Sequence, residues 1–116
     1  MIYKALSLKQ PYANLVATGK KTIETRKWTT KYRGDLLIYS SKVPDIYPAG
    51  HALCVVELYD IKPIRKQDEK AACIKLYTGV YAWLLRNLRV LPKPIAIKGS
   101  LGIYEVQFEY EELKFR

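Results

Sequence analysis

Gly19-Lys20-Lys21-Thr22-Ile23-Glu24-Thr25-Arg26, with Trp28 just beyond, gathers cations, one carboxylate, hydroxyls and a large aromatic into a single short stretch. With the alternation of a strand, Thr22, Glu24, Arg26 and Trp28 share one face, and Ile23 and Thr25 the other. Glu24 and Arg26 then project together, with Lys21 at the strand's entrance. Three uses of the cluster are open. Glu24 can take a proton from water while Lys21 or Arg26 steadies an oxyanion, which makes Lys21 and Glu24 the catalytic candidates. Lys21 and Arg26 can instead meet phosphate or a carbonyl while Glu24 accepts from an exocyclic amine. Or Glu24 and Arg26 form an ion pair that positions the strand and meets no ligand. Lysine serves as a base only where burial or neighbouring cations depress its pKa. Lys20 and Arg26 push Lys21 that way, and Glu24 pushes back.

The elements around the cluster must form its walls. Residues 2–8 read as a strand with Ile2, Leu6 and Leu8 as apolar anchors. Pro11 fits the first turn of a helix over 11–18, where its missing N–H costs nothing. Tyr12, Leu15 and Val16 give that helix an apolar stripe, and Gly19 suits the left-handed residue that ends it. Lys9, Gln10 and Tyr12 would form the opposite wall, with free N–H donors at the helix start. After the turn Tyr32-Arg33-Gly34-Asp35, the strand 36–41 ends in Ser40, Ser41 and Lys42, which reach the same mouth. Residues 43–50 are a loop by their prolines and glycine. A strand follows over 52–61, its lone acid Glu57 facing solvent.

Residues 66–76 have helical composition, with Ala71, Ala72 and Ile74 as a weak stripe. Residues 80–91 are open between helix, by length and leucines, and strand, by Val80, Tyr81, Trp83 and Val90; Pro92 and Pro94 end them either way. Leu101 to Tyr110 alternates as a half-exposed strand, with Tyr104, Val106, Phe108 and Tyr110 opposite Glu105, Gln107 and Glu109. About six strands and two helices, without regular alternation, predict a small barrel-like α+β fold. Trp28, Tyr12, Tyr81 and Trp83 are the aromatics that a base could stack on.

The chain has 116 residues, 49% of them apolar, which predicts one domain over residues 1–116 with its own core. Two cysteines, Cys54 and Cys73, and one histidine, His51, cannot assemble a zinc site from Cys and His alone, so neither metal nor cofactor is expected. Two free buried thiols and the lack of a leader or a membrane-length apolar run predict a cytoplasmic protein. The net charge of +9 concentrates polyanions. RNA or a nucleotide is the expected partner and a membrane is not, since no basic amphipathic helix with a wide apolar face is visible.

Gly19-x-Lys21-x-x-Glu24-x-Arg26 matches the G-x-K-x-x-E-x-R signature of the ASCH domain. The match extends through Ser7-Leu-Lys-Gln-Pro-Tyr12, Tyr32-Arg33-Gly34-Asp35-Leu-Leu-Ile-Tyr-Ser40, Tyr81-Ala-Trp-Leu-Leu85 and Gly99-Ser-Leu-Gly102. The sequence thus resembles that family over almost its whole length. The resemblance implies a PUA-like fold, a small β-barrel decorated by helices, with the signature residues on the floor of a cleft. It implies RNA binding, and in a bacterial branch an amidohydrolase acting on N4-acetylcytidine through a lysine, a threonine and a glutamate; another member is described as a ribonuclease. Aligned on Lys21-Thr22-Ile23, that branch's lysine falls at Lys21, its threonine at Glu24 and its glutamate near Glu69. Action through protein contacts alone is a further reading.

Overall fold

The computed structural model describes residues 1–108 and 113–115. Strands β1 (Ile2–Leu8), β2 (Ile23–Arg26), β3 (Gly34–Ser40), β4 (His51–Pro63), β5 (Tyr81–Ala96) and β6 (Ile103–Gln107) form one curled sheet in the order β2-β5-β4-β3-β1-β6. Helix α1 (Tyr12–Ala17) connects β1 to β2, and a 3₁₀ turn (Lys66–Asp68) leads into helix α2 (Glu69–Ala72) before β5. The predicted small barrel-like α+β fold of about six strands and two helices is found, its six strands forming a curled half-barrel. β1 and β3 pair in parallel, and all other neighbours are antiparallel.

The sheet is packed on both faces. Leu36, Ile38, Cys54, Val56 and Leu58 point to one side with Trp83, against Ala13 and Val16 of α1. Leu37 and Val55, one residue out of phase, point to the other side with Ala5, Leu91 and Phe108. A strand buried on both faces reads as a continuous apolar run, which is how Leu36 to Tyr39 and Ala52 to Val56 appear in the sequence. The buried stripe of α1 is Ala13 and Val16, with Leu15 half-exposed, so the helix is rotated from its predicted face. Gly19 has φ +81 and donates its N–H to Val16 O at 3.0 Å, closing the helix as expected. Ile2 is not an anchor: it lies at the edge pairing with Gln107 and is 61% exposed.

Two segments differ from their sequence reading. The helix over 66–76 stops at Ala72, because Cys73 turns left-handed with φ 57. Residues 80–91 are strand, and Pro92 and Pro94 do not end it, since β5 runs on to Ala96. Prolines fit there because β2 covers only Tyr81 to Leu84 and the register with β4 shifts between Val90 and Ile95, so both prolines fall at a bulge. Phe108 is buried as its alternation predicts, whereas Glu109 and Tyr110 lie outside the described residues. Cys54 is buried and its thiol pushed up to about 12, but Cys73 is only half-buried.

Candidate functional site

Lys21 sits where three elements meet. Its N–H bonds to Leu15 O of α1 at 3.0 Å, the next N–H, from Thr22, bonds to Ala71 O at 2.9 Å, and Leu85 N–H of β5 bonds to Thr22 O at 3.0 Å. Stitched on three sides, this backbone sends the lysine side chain inward, and Lys21 is only 2% exposed. Its ammonium donates to Ala72 O, lies 3.5 Å from Glu24 Oε1 and stands 5.2 Å over the Tyr12 ring. Burial holds the Lys21 pKa below its ordinary value, more strongly than the neighbouring Glu24 carboxylate raises it.

Glu24 is clamped from both ends. Arg26 donates Nε–H and Nη2–H to Glu24 Oε2 at 3.1 and 2.9 Å, and Nη2 also donates to Ser7 O at 2.7 Å. The antiparallel register sets Glu24 opposite Trp83 and Arg26 opposite Tyr81, and their i, i+2 spacing brings both charges out on one face of β2. With Oε2 accepting twice and Oε1 facing Lys21, the carboxylate is arranged to hold two cations.

These groups line one cavity of about 560 Å³, within the ~300–1,000 Å³ range of small-molecule sites. Lys9, Tyr12, Lys21, Glu24, Arg26 and Ser41 of the predicted set all reach it. Gln10, Ser40, Lys42, Trp28 and Trp83 do not. Gln10 is buried beneath the floor, donating to Ser40 Oγ at 3.0 Å, and that bond occupies the wholly buried Ser40. Lys42 lies on the surface, its side chain against Gly50. Trp83 is core; its indole N–H donates to Trp28 O at 3.2 Å, and the two rings meet edge-to-face at 4.8 Å, so Trp28 is a plug on the core with no face turned to the cavity. Tyr81 is half-buried beside that core and lies outside the cavity lining.

Several cavity residues escaped the sequence reading. Ser100, Leu101 and Gly102 belong to a stretch already matched to the ASCH pattern, which gave them no role. Ile74 and Tyr77 lie more than 50 residues beyond Lys21 in a loop with no motif. Ser7 is half-exposed on β1 and bonds to Ser100 O and the Tyr104 hydroxyl, both at 3.0 Å, tying the loop before β6 to the floor. Lys27 and Thr25 complete the rim. Glu69, aligned with the amidohydrolase glutamate, is not in this cavity: its carboxylate accepts Leu76 N–H and pairs with Lys66 at 3.2 Å.

A search of curated proteins gives no significant match. Among solved structures, the ASCH protein from Zymomonas mobilis superposes with a TM-score of 0.69 at 18% identity, covering 95% of this chain and 90% of that one. Two variants of that protein are also similar. One, with a tyrosine changed to phenylalanine, has a TM-score of 0.61 at 18% identity, covering 82% of this chain and 76% of that one. The other, with a serine changed to alanine, has a TM-score of 0.63 at 17% identity, covering 95% and 90%. At these identities the likeness shows the fold. The ASCH domain family model matches residues 6–113, nearly the whole length. With this match and the shared fold, the chain belongs to the ASCH domain family, whose fold is PUA-like.

Proposed function

We propose that the cavity binds RNA or a modified nucleotide. The observation that carries this is the charge of its lining: Lys9, Lys21, Arg26 and Lys27 against the single acid Glu24. Glu24 already engages Lys21 and Arg26, while Lys9 and Lys27 enter no ion pair among the described residues. An anion of the size of a phosphate is therefore met by two unpaired rim cations, and Tyr12 and Tyr77 offer rings to a base. The test is titration of the purified protein with a fluorescently labelled short RNA at low salt. Lys27→Ala is expected to weaken binding about tenfold, as for the loss of one charge-assisted contact. No binding of any RNA or nucleotide at low salt overturns the reading.

A hydrolytic use of the same cavity is the second reading, favoured by the depressed Lys21 pKa, which raises the fraction of neutral amine available as a base. In this reading Lys21 takes a proton from water, the water oxygen attacks the acyl carbon of an acylated nucleoside, and the proton passes to the leaving amine. Acetate and the free nucleoside result. Arg26 steadies the oxyanion, and Glu24 holds Arg26 throughout and Lys21 once it has taken the proton. Release of acetate from N4-acetylcytidine by the wild type, lost in Lys21→Met with nucleotide binding retained, supports it. Absence of turnover on every acylated nucleoside and RNA tested rejects it.

A further inference from the structure

Tyr77 lines two hollows at once. One is the cavity over Lys21, Glu24 and Arg26; the other, about 520 Å³, is lined by Pro63, Ile64, Thr78 and Tyr81 among others. Tyr77 is 45% exposed and is the residue that the two linings share. Its loop is fixed rather than loose, because the Glu69 carboxylate accepts the N–H of Leu76, the preceding residue. The second hollow has no charged residue in its lining, where the first has five, yet Arg65 and Lys75, next in the chain to Ile64 and Leu76, are exposed and enter no ion pair among the described residues. An uncharged trough with aromatic walls, and with free cations next in sequence to its lining, matches a polymer whose flat bases are joined by an anionic backbone.

We propose that the two hollows are consecutive subsites for a single strand of RNA, with Tyr77 partitioning one base from the next. This rests on the nucleotide-binding reading above and narrows its ligand from a free nucleotide to an oligomer. The first base enters the Lys21–Glu24–Arg26 cavity, the second lies against Tyr81 and Ile64, and the linking phosphate passes Tyr77. Aromatic stacking tolerates any base, so length matters more than sequence.

The experiment compares affinities for uridine oligomers of one, two and four nucleotides at constant salt. Affinity is expected to rise about tenfold from one nucleotide to two, the order given by one added stacking contact. Tyr77→Ala is expected to bring that ratio toward one, while Tyr77→Phe keeps it, since stacking needs the ring and not the hydroxyl. Thr78→Glu changes an exposed side chain without touching the core; its carboxylate in the second hollow is expected to lower the ratio as well. Equal affinity of the wild type for one and two nucleotides, with the single nucleotide bound, overturns this inference and leaves the nucleotide-binding reading standing. Failure of every length to bind overturns both. A length gain untouched by Tyr77→Ala and Thr78→Glu also overturns it.

Discussion

Glu24 lies between two cations, and removing its charge leaves them with each other. Lys21 is almost wholly buried and Arg26 partly so, so their repulsion is poorly screened. Glu24→Gln is expected to lower stability by about 3 kcal/mol, the cost of breaking a buried pair from one side, as read by urea unfolding. Lys21 makes a second prediction, set by linkage. Burial lowers its folded pKa below the ordinary 10.5, so between those values the unfolded chain binds more protons than the folded one. Stability then rises with pH across that window and the penalty is fully present below it. Lys21→Met lacks this rise. Its stability relative to wild type is therefore expected to fall as pH is raised through the window between the lowered folded pKa and 10.5; a difference independent of pH up to 10.5 would mean that burial does not govern this lysine. The signature residues were legible because charges at the mouth of a strand stand out against an apolar pattern. The Glu24–Arg26 ion pair was one of the three uses open from the sequence and is present; that the same carboxylate also faces Lys21 was not legible, since Lys21 could have faced outward.

At the scale of elements, the loop between β5 and β6 fits against the core through glycine. A methyl group at Gly99 would overlap the ring of Tyr39, which is buried and cannot swing away. Gly99→Ala is expected to cost about 1 to 3 kcal/mol by overpacking and to weaken ligand binding, because the displaced loop carries Ser100, Leu101 and Gly102 onto the cavity. Gly102→Ala provides the contrast. It meets nothing within 4 Å and suffers only the strain of φ +64, so a smaller loss of about 1 kcal/mol is expected. Thermal unfolding of the two variants checks the order. The sequence did not reveal this packing, although Gly99 and Gly102 both fall in a stretch that matches the ASCH pattern. It likewise left β5 open, because leucines at helical spacing and β-branched residues competed over 80–91. Pairing decided the matter: β5 is bonded to β4 along most of its length and gains more there than a helix could.

At the scale of the whole molecule, charge and topology meet. Local patterns found most of the strands and α1, but they hold no information on which strands adjoin. Only the fold sets β2 beside β5, across more than 50 residues, and so brings Tyr77 within reach of a cavity built on Lys21. The same closure collects Lys9 and Lys27 on one rim of a protein with net charge +9. Each phosphate neutralised on a single strand contributes a slope of about 0.7 in the logarithm of affinity against the logarithm of salt concentration. If binding drew only on the diffuse positive field, removing any two lysines would change the slope alike. If Lys9 and Lys27 contact phosphate, Lys9→Gln with Lys27→Gln is expected to reduce it by about 1.4, whereas Lys70→Gln with Lys93→Gln, both outside the cavity lining, leaves it nearly unchanged. Titrations of a four-nucleotide RNA at several salt concentrations separate the two, and equal slopes in the two double variants would show that the rim cations contact no phosphate.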